Sequence, residues 1–180
     1  ALLGVLAVPG FRWLFPSRHE HCIKQAIFVL AGYASEHEGR YPTSAKGWGD
    51  ALLKLNETED TESWIQVMAG VDDDGAHFRD ALRSGADIEE HECTRVYVQG
   101  LTTESNRAIV VLFDRDSEPG GDHFRSPFRK PLREVITVGG SHKMIEDPEW
   151  PEYVANQERL LRDEGVAEAT IQGLYGTTRG

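Results

Sequence analysis

Basic side chains are scarce in this chain, which has 19 Lys and Arg residues against 30 Asp and Glu residues and a formal net charge of −11. No cluster of Lys and Arg is present, and phosphate binding requires such a cluster, so nucleic acid is excluded as a partner. Residues 61–105 alone hold ten acidic and three basic side chains, a net −7 of the −11. This segment predicts a solvated acidic face and leaves open a partner with a basic surface.

Long apolar runs and catalytic signatures are also absent. The apolar residues 1–8 fall far short of the roughly 20 that span a bilayer. With Arg12 among aromatic residues behind them, they are interpreted as the trailing part of a membrane anchor or signal; the alternative is a short helix packed on the domain. No nucleophile elbow, Walker loop or His-Glu-x-x-His motif occurs, so no enzymatic activity is predicted. His142 is a candidate base, although a surface turn histidine is the favoured interpretation.

Cysteine is limited to Cys22 and Cys93. In an exported chain the two are expected to form a disulfide, and in a cytosolic chain they are expected to be buried thiols. His19, His21 and His91 lie beside them, which leaves a Cys/His zinc site as a third possibility, although the usual Cys-x-x-Cys spacing is absent.

The 180 residues, 39% apolar and 27% charged, have the composition of one ordered domain. We predict an apolar N-terminal segment at residues 1–16, a single α+β domain at residues 17–174 and a frayed tail at residues 175–180. Short connecting helices are predicted at residues 48–55, 61–69 and 77–84.

An amphipathic helix is predicted to follow Cys22. Apolar side chains recur there at helical spacing, at Ile23, Ile27, Leu30 and Ala34. Gly39 is suited to a left-handed cap and Pro42 blocks continuation, so the helix should end just before them. We expect its apolar stripe to dock on a sheet.

The sheet itself is predicted after residue 95, where β-branched and aromatic residues replace the helical pattern. The segments are residues 95–101, 108–114 and 133–139, with a fourth strand at residues 142–146. Residues 108–113 are apolar throughout, so that strand should be buried on both faces. A C-terminal helix is predicted at residues 152–164, ending at Gly165, with a further turn or two at residues 166–174.

Three of these features together resemble type IV pilin-like and type II secretion pseudopilin-like proteins: the apolar N-terminus, the helix with its Gly39-Arg40-Tyr41-Pro42 stop, and the later antiparallel sheet. The order of three short motifs is similar to that in pseudopilin-like families of planctomycete-type bacteria. These motifs are Cys22-Ile-Lys-Gln, Asp114 with His123, and Gly140-Ser141-His142.

This resemblance implies a fold and a role. The fold is a long N-terminal helix packed on a small antiparallel sheet of three to four strands, with short connecting helices and a C-terminal helix. The role is that of a non-enzymatic structural or assembly protein of the cell envelope, periplasmic or extracellular and anchored in the membrane through its N-terminus. Its expected partners are other pilin-like subunits or envelope secretion components.

An acidic loop follows the second predicted strand, with four carboxylates over nine residues, at Asp114, Asp116, Glu118 and Asp122. Oxygen-rich loops of this kind can bind Ca²⁺, and pseudopilin-like proteins frequently hold Ca²⁺ in a loop beside the sheet. The alternative is a solvated hinge loop whose carboxylates are neutralised by Arg115 and Arg125. A soluble periplasmic protein that binds a ligand or metal through this loop, or through the Cys/His cluster, is the alternative function.

Overall fold

The computed structural model describes residues 23–57, 67–70, 84, 90, 93–119 and 130–176. Its helices are α1 (Ala26–Glu36), α2 (Trp48–Leu53), α3 (Trp150–Asp163) and α4 (Glu168–Gly176), and its strands are β1 (Arg95–Tyr97), β2 (Val110–Asp114), β3 (Glu118–Pro119), β4 (Pro131–Thr137) and β5 (His142–Glu146). Short 3-10 turns precede α1 at Ile23–Gln25, follow α2 at Lys54–Glu57 and precede α3 at Asp147–Glu149.

All strand pairs are antiparallel, and β4 is central, since it pairs with β2, β3 and β5. Leu132 of β4 faces Glu118 of β3 on one side and Glu146 of β5 on the other. β2 pairs with β4 on the side opposite β5, as β3 does. β2 and β3 therefore lie end to end along the same edge of β4. The sheet is therefore four strands wide, which confirms the predicted α+β class and the antiparallel sheet.

The sheet is covered on both faces. Cross-strand register places Tyr97, Leu112, Ile136 and His142 on one face and Val96, Phe113, Val135 and Lys143 on the other. On the first face, burial raises the pKa of Tyr97 well above its usual range, with the nearby hydroxyls of Tyr41 and Tyr33 adding to the effect. Since Tyr33 belongs to α1, this is the α1 side.

The opposite face of the sheet packs on α3 and α4. Phe113 has its ring centroid 5.6 Å from that of Trp150 in α3 and 5.3 Å from that of Tyr175 in α4. The guanidinium of Arg133 lies 4.8 Å from the centroid of the Trp150 ring, in cation–π geometry. The described elements therefore form three layers, with α1 on one side of the sheet and α3 and α4 on the other.

The length of α1 corrects the predicted fold. The 3-10 turn contributes 3 residues and α1 contributes 11, which makes a helical segment of 14 residues. The predicted long N-terminal helix is therefore not supported. The expectation of extra length came from the resemblance, whereas the apolar spacing itself covers only residues 23–34. Within that stretch Ile23 and Leu30 are fully buried, and half-buried Ile27 lies against the turn at Gly140.

The predicted helix stop is confirmed. Glu38 and Gly39 adopt positive φ angles of 55° and 79°, and the Gly39 amide donates to the Ala34 carbonyl at 2.8 Å. This is the geometry that closes a helix through a left-handed residue. The Tyr41 amide then donates to the Leu101 carbonyl at 3.2 Å, which ties the exit of α1 to the chain that follows β1.

The C-terminal helices extend beyond the prediction. The helix predicted to end at Gly165 is α3, and Gly165 has the positive φ of 81° that suits a helix stop. The following helix α4 runs to Gly176 and buries Tyr175 completely, whereas the sequence assigned residue 175 to a frayed tail. Aromatic packing on the sheet explains the difference, since Tyr175 stacks on Phe113.

Some predictions concern residues outside the described ranges. They are the apolar segment at residues 1–16, most of the connecting helices at 61–69 and 77–84, and the last residues of the tail. The short helix at residues 48–55 is confirmed, because α2 and its 3-10 turn cover it. Among the described residues, the helices are individually too short or too polar to cross a bilayer.

The buried hydroxyl of Tyr153 leads to a stability prediction. It has no hydrogen-bond partner within the described part of the chain, and burial raises the pKa of Tyr153 from 10.0 to about 12. Because the folded-state pKa is the higher one, the contribution of Tyr153 to stability is complete below about pH 10 and is lost as pH rises toward about 12. For Tyr153→Phe we expect a free energy of unfolding at neutral pH that is unchanged or raised by up to about 1 kcal/mol.

Urea unfolding of both chains at about pH 8 and about pH 11 measures the effect. The variant should lose less stability between the two values than the wild-type chain does. Burial also raises the pKa of Tyr175, so both the wild-type chain and the variant should still lose some stability at alkaline pH. An equal loss in the two proteins would show that Tyr153 ionises as freely in the folded state as in the unfolded one.

Candidate functional site

A row of charged side chains crosses the α1 side of the sheet, with one member on each strand of its width. Its members are Arg95 of β1, Asp114 of β2, Glu134 of β4 and His142 of β5, and they are called the charged row below. Arg95 faces Asp114 directly, and Glu134 and His142 lie two residues apart across the β4–β5 pair. Strand alternation places these side chains on the face that also carries Tyr97 and Leu112.

The first half of the charged row is an ion pair. The Arg95 side chain is only 1% exposed, and its Nε lies 3.5 Å from Oδ1 of Asp114. Arg95 Nη1 also donates to the Val67 carbonyl, and Oδ2 of Asp114 accepts from the Glu134 amide at 2.8 Å. A buried guanidinium requires this kind of compensation, because an unpaired charge in the interior is costly.

The second half is a carboxylate–imidazole pair. Glu134 has no exposed side-chain surface, and its Oε2 lies 2.7 Å from Nε2 of His142, whose side chain is 15% exposed. Through this contact the carboxylate fixes the orientation of the ring. His142 is therefore a mostly buried strand residue, and the favoured interpretation of it as a surface turn histidine is wrong.

Asp114 and His142 were named from the sequence for separate reasons, and Arg95 and Glu134 were missed. Glu134 was assigned only to a strand, yet it stands at a core-facing position among Val135 and Ile136, and a histidine follows eight residues later in the same hairpin. The available signal was a charged residue at an inward-facing position of an apolar strand, with a titratable residue on the next strand. Arg95 gave no such signal, because its strand begins at that residue.

A second polar cluster lies on the opposite face of the sheet and joins β4 to the 3-10 turn before α3. Arg133 Nη1 contacts Oδ1 of Asp147 at 2.6 Å, and the other carboxylate oxygen of Asp147 accepts from the Ser117 hydroxyl at 2.7 Å. Arg133 Nε donates to the Arg115 carbonyl at 3.3 Å. These contacts tie the chain after β2 to the start of α3 and use side chains that could otherwise bind a ligand.

The predicted calcium ligands do not lie in equivalent surroundings. Asp114 is engaged with Arg95 and the Glu134 amide, whereas Asp116 is exposed. Glu118 belongs to β3, whose backbone pairs with β4, and Asp122 lies outside the described ranges. Among the described residues, no group of three or more His, Cys, Asp and Glu side chains is arranged to hold a metal ion. Calcium binding by this loop stays a prediction.

Substitution of Asp114 and Asp116 separates a structural role from a metal-binding one. Asp114→Asn should lower the free energy of unfolding by about 2 kcal/mol in chelator and in calcium alike, because it removes the negative charge that lies 3.5 Å from the buried Arg95 guanidinium. Asp116→Asn should change it by less than about 0.5 kcal/mol in chelator, since the residue is exposed. Thermal unfolding of both variants in chelator and in calcium provides the measurement. Calcium stabilisation of the wild-type chain that disappears in Asp116→Asn would assign the loop to metal binding.

The structure describes one of the two cysteines. Cys93 is buried, with 2% of its surface exposed. Its predicted disulfide partner Cys22 lies outside the described residues, as do His19, His21 and His91 of the possible zinc site. Both the disulfide and the zinc site therefore stay predictions.

No protein-family model, curated protein or solved structure matches this chain. The pilin-like resemblance thus rests on the short motifs of the sequence. The three-layer arrangement and the charged row rest on the contacts described above.

Proposed function

We propose that this chain is a non-enzymatic, exported, pilin-like structural or assembly protein of the cell envelope. In this role its N-terminal apolar segment anchors it at the membrane, and its α+β domain packs with other pilin-like subunits or envelope secretion components. The proposal places the domain in the periplasm or outside the cell.

The observation that carries the proposal is the two-sided character of α1. One side of the helix supplies Leu30 and Ala34 to the core, 0% and 1% exposed, while Phe28 on its other side is 73% exposed. Ala31 and Gly32 beside Phe28 are exposed as well. A large aromatic side chain flanked by small residues on an outer helix face is suited to close packing against another helix.

The charged row is consistent with this structural role. Its members bind one another across the strands and so fix the register of the sheet. Pairing of this kind gives a buried polar cluster a purely architectural use. The row therefore needs no substrate to account for it.

Localisation tests the proposal directly. The full chain is expressed in a diderm bacterium, and protease is added to intact cells, to spheroplasts and to lysed spheroplasts. We expect degradation once the outer membrane is opened, with a cytoplasmic marker protein protected until lysis. Protection of the chain together with the marker would place it in the cytoplasm and overturn the proposal.

Assembly is tested in the same cells by chemical crosslinking. Crosslinked oligomers larger than dimers should be lost in Phe28→Ser and retained in Ser35→Ala, a substitution at another exposed position of the same helix. Both variants keep the buried face of α1 intact, so a difference between them reports on the outer face. Equal crosslinking of the two variants would show that α1 does not form the contact between subunits.

A further inference from the structure

Strand β5 forms one edge of the sheet. It pairs with β4 on one side, and no other described strand pairs with it. Its central residue Met144 is 46% exposed, which makes it one of two large apolar side chains exposed in the described part of the chain. An open edge with an apolar centre is a template for pairing with another strand.

The alternation of hydrogen-bonded pairs in the β4–β5 hairpin determines which backbone groups of β5 point away from β4. The Thr137 amide donates to the Ser141 carbonyl at 3.0 Å, so these two residues form a hydrogen-bonded pair. Antiparallel pairs alternate between bonded and non-bonded, so Lys143 and Ile145 direct their backbone groups toward β4. The amides and carbonyls of the alternate residues, His142, Met144 and Glu146, consequently point away from β4.

We propose that β5 pairs with β5 of a second copy of this chain, antiparallel and about a twofold axis at Met144. Such an axis is perpendicular to the sheet, so each residue of β5 lies opposite a residue of the second copy whose side chain is on the same face. Centred on Met144, the register sets His142 opposite Glu146 of the second copy and Met144 opposite its own equivalent. The residues brought into bonded pairs are those whose backbone groups point outward.

Side-chain chemistry selects this register over its neighbours. It places His142, whose Nε2 lies 2.7 Å from Glu134, opposite Glu146, which is 2.7 Å from Lys130 of its own chain. It also sets two thioethers opposite each other at the centre and Lys143 opposite Ile145. A centre at Lys143 would set two ammonium groups against each other, and a centre at Ile145 would lose the His142–Glu146 pairing. In the register centred on Met144, no two like charges of β5 therefore stand opposite each other.

The product is one continuous sheet twice as wide, with the two α1 helices on the same side of it. This surface is distinct from the outer face of α1, so each subunit carries two separate contacts. The inference does not depend on the proposed envelope location, because it concerns the purified chain alone.

Sedimentation velocity of the full chain from about 1 µM to about 1 mM tests the pairing. We expect a monomer–dimer equilibrium within that range, weakened at least about tenfold in Met144→Pro, which removes the central outward amide. The β4 ladder should survive, since that amide does not point toward β4. Met144→Val is the matched control, because it keeps the amide and the strand propensity, and it should dimerise as the wild-type chain does.

Hydrogen exchange of the wild-type chain supplies a second readout that does not depend on how Met144→Pro folds. The Met144 amide should be protected at high concentration and exchange rapidly on dilution, whereas the Lys143 amide, bonded to β4, should be protected at both. A chain that stays monomeric throughout, a dimer that Met144→Pro leaves unchanged, or a Met144 amide that exchanges equally at both concentrations would each overturn the proposal.

Discussion

Replacement of Leu30 by Asp is expected to leave the domain unfolded at 25 °C. Leu30 has no exposed surface and lies in the apolar core between α1 and the sheet. The substitution removes about 2 kcal/mol of burial and places an ionised carboxylate among the apolar side chains of the described core, which costs several kcal/mol more. The sum is comparable to the whole stability of a typical domain, about 5–15 kcal/mol. Far-UV circular dichroism and a urea titration measure the outcome.

Phe28→Asp is the matched control for this experiment. It puts the same carboxylate on the same helix, two residues away, at a position that is 73% exposed. The free energy of unfolding should change by less than about 1 kcal/mol, because an exposed charge stays hydrated. If Leu30→Asp unfolds at the wild-type urea concentration, the inward face of α1 has been assigned to the wrong residues.

Replacement of His142 by Ala should lower the free energy of unfolding by about 3 kcal/mol, the second largest effect expected here. The reason is the fully buried carboxylate of Glu134, whose contact at 2.7 Å with the imidazole is lost while the charge stays in the interior. Chemical unfolding of the wild-type chain and the variant under the same buffer conditions gives the difference.

A double-mutant cycle tests the cause of that loss. Glu134→Leu removes the charge that His142 compensates, so His142→Ala should cost much less in the Glu134→Leu background than in the wild-type chain. We expect a coupling energy of about 1–3 kcal/mol between the two sites. Additive effects would show that His142 stabilises the fold through packing and not through its contact with Glu134.

The strands of the sheet could be predicted because their sequence signals are local. Val110 to Phe113 form an uninterrupted apolar run that only a doubly covered strand explains, and the structure buries all four residues. The end of α1 could be predicted as well, since Gly39 supplies a backbone conformation that few other residues adopt. Each of these features depends on neighbours in the chain.

The arrangement of the layers could not be predicted, because it depends on contacts between distant segments. Nothing near Tyr175 in the sequence indicates that its ring stacks on Phe113, 62 positions earlier. The charged row has the same origin: Arg95, Asp114, Glu134 and His142 come from four separate strands. The length of α1 was misjudged because it was taken from the resemblance and not from the spacing of its own apolar residues.

The two outer layers of the domain come from opposite ends of the described chain, α1 before the sheet and α3 with α4 after it. During synthesis, a ribosome adding about 5–20 residues per second completes the sheet before either C-terminal helix has emerged. Until then the face that carries Phe113 and Val135 lacks α3 and α4, the described helices that cover it, and is available to chaperones or to other nascent chains. A chain that stops before residue 150 therefore lacks α3 and α4, the two described helices that cover this face, and is expected to aggregate more readily than the longer chain.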